Sequence, residues 1–392
     1  MTDTPTAQTL LERARALLPR IAERRTEAHT LRRIPDATIQ DLKEAGLFRI
    51  LQPKRYGGYE LDPRALFDIQ ILLGTVCGST AWVYGVVAVH AWQMGGLDDR
   101  AQAEVWSDDQ DALISSSYMP VGKVTPVEGG YRLSGHWSFS SGSDHCQGAF
   151  LGAFCPTPPE AKGPDMRSFL VLRDQYEISD TWHTSGLAAT GSNDIIVDDV
   201  FVPEYRTHRL IDGYLCKNPG QLVNTAPLFA LPFGQVFVRS VSTTAIGLAE
   251  GALAAFTETA SKRVASGPGK PKADPFVAMT CAKAAAAIDE VKLVLNRNFQ
   301  EMTDRVEAGE SVPVDRRIQF RYDSANAVDR CTRVVDELFI NSGGRAVFLD
   351  HPLNRAFQDI HAVRQHYANS PNNPGLNLGG TQLGLKNTDF FI

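Results

Sequence analysis

Two serine clusters and two histidines carry the residues best suited to chemistry in this chain. Ser115-Ser116-Ser117 and Ser140-Ser141-Gly142-Ser143-Asp144-His145 each offer hydroxyl and backbone donors beside glycine or proline. Such a lining suits a cofactor held by hydrogen bonds without a charged partner. Serine clusters also serve as loops that satisfy their own backbone, so each cluster alone has a purely structural alternative. The stretch Gly186-Leu-Ala-Ala-Thr-Gly-Ser-Asn-Asp194 is a third candidate of the same kind, or a loop shaped only by Gly186 and Gly191. His90 sits among Val86, Val87, Val89 and Trp92, where a histidine is either a proton-handling group or a hydrogen-bonded core residue. His366, beside Tyr367 and Asn369, is either a site residue or a surface one.

Other chemistries lack their residues. No G-x-G-x-x-G links a strand to a helix, and no G-x-x-x-x-G-K-[ST] occurs; Gly267 to Lys272 reads as a basic loop of glycine and proline. His361 and His366 are about 140° apart around a helix, which does not make the same-face pair of a zinc helix. H-E-x-x-H and G-x-S-x-G are absent, so no metal site is expected. The six cysteines, Cys77, Cys146, Cys155, Cys216, Cys281 and Cys331, show no C-x-x-C spacing and read as free thiols.

The elements that must position these residues follow from periodicity. Leu10, Ala14, Leu17, Leu18 and Ile21 predict one amphipathic helix over Thr9 to His29. A second opens at Pro35-Asp36, with Asp36 as N-cap and Gly46 beyond its end; Pro63 to Cys77 and Ser79 to Leu97 predict two more. After Ala112 the period shortens to two. Val124 to Gly135 reads as a hairpin turning at Glu128-Gly129-Gly130, and Phe169–Leu172, Tyr176–Ile178 and Ile195–Val202 read as strands of a mainly antiparallel sheet or small barrel. From Pro232 helices return, with Ala273 to Ala308 and Asp315 to Ile340 the longest, and the Asn-, Gly- and Pro-rich tail after Asn369 reads as irregular. The organisation expected is therefore α+β: an N-terminal helical domain over 1–110, a central β domain over 111–216 and a C-terminal helical bundle with its tail over 217–392.

With 39 basic against 45 acidic residues, the formal net charge is -6, which argues against a nucleic-acid partner. The polar start and the small-residue, Glu250-broken stretch from Val241 to Phe256 argue against a signal peptide or membrane span, so a cytoplasmic protein is expected.

The α-β-α order, Tyr56-Gly57-Gly58, Thr190-Gly-Ser-Asn-Asp-Ile-Ile-Val-Asp-Asp-Val-Phe-Val-Pro203 and the segment from Gly343-Gly344 to Arg355 and Asp359 resemble the acyl-CoA dehydrogenase fold. Most dehydrogenases of that fold carry a glutamate base just after the late helix; here His361 to Asn369 contains no carboxylate. The closer resemblance is to the oxygenase components of two-component, flavin-dependent aromatic monooxygenases, of the p-hydroxyphenylacetate and secosteroid-phenol hydroxylase type. It rests on Leu51-Gln-Pro-Lys-Arg-Tyr-Gly-Gly58, Cys77-Gly-Ser-Thr-Ala-Trp82, Ile114-Ser-Ser-Ser117, Ser140 to His145, and Asp359-Ile-His361 with His366. The steps of 26 residues from His90 to Ser116 and 25 from Ser116 to Ser141 match that family's pocket histidine, pocket serine and flavin-contacting serine.

That resemblance implies hydroxylation of a small phenolic or related aromatic substrate through a C4a-hydroperoxyflavin. Reduced FMN or FAD would come from a separate NAD(P)H-dependent flavin reductase, with O2 as co-substrate, in a homotetramer. It implies Ser141 near flavin N5, His366 near the peroxide, and His90 with Ser116 on the substrate hydroxyl. Phe139, Gly142, Thr190 and Ser192 join Ser141 as flavin contacts, with Arg263 for the flavin phosphate. Trp82, Trp92 and Tyr118 complete the expected substrate pocket. Phe139 stands where close relatives have tryptophan, Ser143 where they have cysteine, and Trp92 where one has a second histidine. The alternatives are an acyl-CoA dehydrogenase-like flavoprotein, a relative oxidising nitrogen, sulfur or an indole, and a non-catalytic flavin-binding or regulatory protein.

Overall fold

Thr6 accepts the Thr9 N–H and starts α1, Ala7–Glu23, which buries Leu10, Ala14 and Ile21 along one stripe. The structure, a computed structural model, describes residues 4–157, 163–266 and 274–392, with side chains in the middle stretch described as far as Lys262. The single helix expected to reach His29 is broken at Arg24, whose ψ of 0° leaves the helical region while its guanidinium binds Asp41 at 2.6 Å. The chain restarts as α2, Arg25–Leu31, and then α3, Asp36–Glu44. Asp36 is not the N-cap of α3; Pro35 holds that place, and the Asp36 carboxylate pairs with Arg33 at 2.8 Å from within the first turn. Beyond α3, Gly46 has φ +76°, where a Cβ would strike the Tyr59 hydroxyl.

Helices α4, Pro63–Gly74, α5, Gly78–Gly96, and α6, Asp99–Trp106, complete the first helical region. In α5 every residue but Ala91 is buried, so its polar side chains must find partners inside the protein.

The strands are β1, Ile114–Val127; β2, Gly130–Ser140; β3, Gly148–Cys155; β4, Asp165–Leu172; β5, Glu177–Ser179; β6, Asn193–Pro203; and β7, Thr207–Arg209. They form one sheet in the order β5-β6-β2-β1-β3-β4-β7, antiparallel except for the β1/β3 pair. The hairpin turns on Glu128-Gly129, with Val127 opposite Gly130. One face buries Leu133, Trp137, Phe169, Val171 and Ile195. The Trp137 ring fits because positions 122 and 135 are glycine: a Cβ at either would lie 2.6 Å from it.

A short α7, Leu210–Leu215, leads to α8, Phe233–Ser266, α9, Pro275–Glu307, α10, Val314–Ile340, and α11, Pro352–Arg364. Helices α4 and α8 cross at Gly74 and Gly247, where a Cβ on Gly74 would sit 2.9 Å from the Gly247 Cα. The loop from Gly267 to Lys272 lies outside the described residues.

The tail expected to be irregular contains α12, Asn372–Gln382. Its propensity is poor, but packing outweighs it. Pro374 and Asn377 are buried, Gly375 lets the helix lie close against Tyr322 of α10, and Asn377 bonds Asn387 at 2.8 Å and the Thr388 N–H at 2.9 Å.

Candidate active site

Strand β1 sends Ser116 to the face opposite Ser115 and Ser117, as a two-residue period requires. Ser115 bonds Ser140 at 3.1 Å and Ser117 donates to the Ser138 carbonyl at 2.8 Å, so both knit β1 to β2. Ser116 instead meets His90 of α5, Oγ to Nε2 at 2.9 Å. The Gln93 carbonyl oxygen lies 3.2 Å from His90 Nδ1 and also accepts from the Tyr118 hydroxyl. An acceptor at Nδ1 places the ring proton there and leaves Nε2 to accept, so Ser116 donates to His90. Burial pushes the His90 pKa down to about 3, which the Gln93 hydrogen bond only partly offsets, and keeps the ring neutral. Ser116 and Tyr118 are only half-buried, so this chain ends on the least enclosed side of the group. Phe150 and Phe237 flank the His90 ring, and Phe233 and Phe391 pack against Phe237.

About 12 Å back along α5, at 1.5 Å per residue, lies a second group. The Trp82 indole N–H donates to Ser141 Oγ at 2.9 Å; Ser141 and Ser192 hydroxyls are 2.7 Å apart, Ser192 and Thr190 2.6 Å, and Thr190 donates to the Leu187 carbonyl at 3.0 Å. The last bond uses the Thr190 proton, so Ser192 donates to Thr190 and Ser141 to Ser192. The row runs in one direction, and Ser141 keeps a lone pair but no spare proton. Gly142, at φ +70°, seats the turn against α5, since a Cβ there would lie 2.9 Å from Val83. Phe139 holds a left-handed backbone, φ +68°, and is 61% exposed, with Trp182 against its edge at 6.2 Å. An aromatic ring held in the open at that conformational cost leaves a flat apolar face uncovered.

His366 approaches from just past the C-cap of α11, Gln365. Its ring centroid is 5.6 Å from that of Trp82, at 64°. Nδ1 accepts the Ala368 N–H at 3.1 Å, which puts the neutral ring's proton on Nε2. Burial first, and then the Arg321 guanidinium, push its pKa down to about 4. Arg321 itself donates to the Ala368 carbonyl at 2.8 Å. Asp359, two turns earlier on α11, accepts the Leu187 N–H at 2.7 Å; burial lifts its carboxyl to about 6 against the pull of that bond and of Arg355 and Arg25.

The structure thus joins His90, Ser116 and Tyr118 in one group and Ser141, Thr190, Ser192 and His366 in another. The two tryptophans expected in the substrate pocket take different partners. Trp82 stands with Ser141 and His366, because its N–H needs a buried acceptor and Ser141 supplies one. Trp92 stands one layer back: two residues from His90 it points elsewhere, donates to the Leu228 carbonyl at 2.9 Å and stacks on Phe233. The Arg263 side chain lies outside the described residues. His361 pairs with Asp336 at 2.9 Å, apart from His366. Sequence reasoning missed Gln93, which lies one helical turn from His90 and was visible as an i, i+3 partner, and Asp359, whose partner is remote in sequence.

Among the described residues no three His, Cys, Asp or Glu side chains converge as metal ligands, and no helix is long and apolar enough to cross a membrane. The acceptor at Ser141, the hydroxyl row and the exposed Phe139 fit a flat heteroaromatic ring held by hydrogen bonds. A flavin is such a group.

Fold and site together define a flavoprotein of the acyl-CoA dehydrogenase fold. Residues 4–103 match the family described as acyl-CoA dehydrogenase, N-terminal domain, and residues 240–371 the corresponding C-terminal domain. The chain is 39% identical over 387 residues to the flavin-dependent monooxygenase, oxygenase subunit HsaA, of Rhodococcus jostii (strain RHA1), covering 97% of this chain and 100% of that one. It is 32% identical over 363 residues to the p-hydroxyphenylacetate 3-hydroxylase, oxygenase component, of Acinetobacter baumannii, covering 91% and 85%. The crystal structure of 3-HSA hydroxylase from Rhodococcus sp. RHA1 superposes with a TM-score of 0.94 at 38% identity, over 98% of this chain and 99% of that one. The chain belongs to the oxygenase subunits of the flavin-dependent monooxygenases. It is a flavin-dependent enzyme that works with a separate reductase component.

Proposed function

We propose that this oxygenase hydroxylates a phenol, ortho to its hydroxyl, in the space bounded by Ser116, Tyr118 and His90. The carrying observation is the order of donors Ser116 to His90 to Gln93: it leaves Ser116 as the acceptor a phenol O–H would meet. Bound reduced flavin supplies two electrons to O2, so that one oxygen atom enters the ring and the other leaves as water. The protein's part is to bind, orient and exclude water. Ser116 and His90 draw the phenol proton toward Nε2, which raises electron density on the ring carbons beside the hydroxyl. Ser141 would hold the flavin edge by accepting an N–H, and Thr190, Ser192, Gly142 and Phe139 would line the same site. His366 presents Nε2–H as a hydrogen-bond donor near Trp82, which would stabilise the departing oxygen while its proton comes from water. Arg263 remains the candidate for the flavin phosphate.

A separate NAD(P)H-dependent reductase fits a chain with no nucleotide-binding glycine motif of its own. A homotetramer through the C-terminal helices is supported by exposed Ile340, Phe348, Leu349, Leu376 and Leu383. The six free thiols suit the cytoplasm. The test is turnover of a panel of substituted phenols and indoles under 18O2 with chemically reduced FMN or FAD. A catechol carrying one labelled oxygen supports the reading; hydrogen peroxide alone across the phenols, or labelled product only from indoles, overturns it.

A further inference from the structure

Leu187 is a buried leucine with φ +50°, a conformation that L side chains rarely adopt. Something must hold it there. Its N–H is bound by Asp359 Oδ1 at 2.7 Å, and its carbonyl receives Thr190 Oγ1 at 3.0 Å, the Thr190 N–H at 3.1 Å and the Trp182 indole N–H at 2.9 Å. The preceding residue, Gly186, lies so close to α11 that a Cβ there would be 2.0 Å from the Gln358 carbonyl. Gly78, at the start of α5, leaves room for the other carboxylate oxygen, since a Cβ there would lie 2.7 Å from Asp359 Oδ2.

We propose that Asp359 is a positioning residue for the flavin side of the site: by fixing the Leu187 peptide it sets the direction of the hydroxyl row and so keeps Ser141 an acceptor. This rests on the flavin reading above. With the Leu187 carbonyl aimed at Thr190, every proton in the row is committed away from Ser141. Without Asp359, Leu187 relaxes toward ordinary φ, its carbonyl turns, and the Thr190 hydroxyl is free to donate back to Ser192. Ser141 then loses its acceptor for the proton it gives away and turns a donor into the site, against a flavin N–H. Because Asp359 lies on α11 and His366 follows just past that helix's C-cap, Gln365, the same bond ties the two walls of the flavin site together.

The test compares full-length Asp359→Asn, which keeps an acceptor oxygen, with Asp359→Ala, which does not. In the flavin-free protein, hydrogen exchange of the 186–192 segment should quicken in the alanine variant and stay near wild type in the asparagine variant. Peroxide released per product formed should rise about fivefold or more in Asp359→Ala and in Thr190→Val, and less than about twofold in Asp359→Asn. The Asp359→Ala, Thr190→Val double variant should be no worse than either single one, as links of one chain require. Wild-type exchange and coupling in Asp359→Ala, an asparagine variant as impaired as the alanine one, or additive losses would each overturn the proposal. If Asp359→Ala does not fold, Asp359→Asn against Thr190→Val decides: an uncoupled asparagine variant, or a coupled valine one, overturns it. Uncoupling in Ser141→Ala without uncoupling in Asp359→Ala sinks this proposal alone. A wild-type protein that oxygenates nothing with reduced flavin sinks the flavin-site reading, and the exchange comparison still reports on Asp359.

Discussion

The Trp82 indole N–H donates to the Ser141 hydroxyl at 2.9 Å, and with that bond one side chain of the largely buried helix α5 closes the hydroxyl row that ends at the Leu187 carbonyl. The bond brings together two residues expected to serve different parts of the site.

Trp82→Phe keeps an aromatic, though smaller, side chain and removes the donor. Ser141 then loses one partner worth about 1 kcal/mol, or roughly fivefold in an equilibrium. Peroxide released per hydroxylated product should rise by about that factor, while the KM for the phenol stays within about twofold. Ser141→Ala should uncouple more strongly, by about tenfold or more, since it removes the flavin-facing acceptor itself. A colorimetric peroxide assay against product chromatography measures both.

Ser116→Ala and His90→Gln act on the other group. Each should raise the KM for the phenol and lower kcat by about tenfold or more, with reduced-flavin binding within about twofold of wild type. Flavin fluorescence titration and steady-state kinetics separate the two effects. Equal losses in both would move His90 from the substrate to the fold.

His366 is held neutral down to a pKa of about 4, and its Nε2 carries the proton. Between pH 6 and 9 the turnover rate should therefore lack an inflection from this group in the free enzyme. His366→Ala should lower kcat by about tenfold or more and leave phenol binding intact, because Trp82 rather than His90 is its neighbour. Stopped-flow single turnovers across that pH range check it.

The buried histidines also make a stability prediction. His90 is pushed down to about 3 and His366 to about 4, against about 6.5 in the unfolded chain. Between those values the unfolded state binds more protons, so stability falls as pH drops from 6.5 toward 4. Asp359, raised to about 6, works in the opposite direction below that pH, because the folded state there holds the extra proton. The comparison is therefore between wild type and His90→Gln: the variant's melting temperature should fall less between pH 7 and 5. Circular dichroism melts report it.

Much of this site was legible in the sequence. Alternation along β1 separates Ser116 from its two neighbours, and Thr190, Ser192 and Ser141, singled out as polar loop residues, meet in one hydrogen-bonded row. What was not legible depends on long-range packing. The Asp359–Leu187 bond spans 172 residues, and no local signal marks a leucine for a left-handed backbone. The Trp82–Ser141 contact was not legible because a buried indole takes its place from the acceptor it finds, which composition does not reveal. Helix α12 was missed for a related reason: its glycines and asparagines weaken the helix locally but permit its contact with Tyr322.

The most direct measurement mixes the protein anaerobically with reduced FMN, and separately reduced FAD, adds oxygenated buffer in a stopped-flow instrument, and follows the flavin spectrum with and without a phenol. The account predicts a transient absorbing at shorter wavelength than oxidised flavin, long-lived in wild type, shortened about tenfold or more in Ser141→Ala, and consumed faster when a phenol that yields catechol is present. Direct return to oxidised flavin in wild type, with peroxide matching the flavin added, would contradict it.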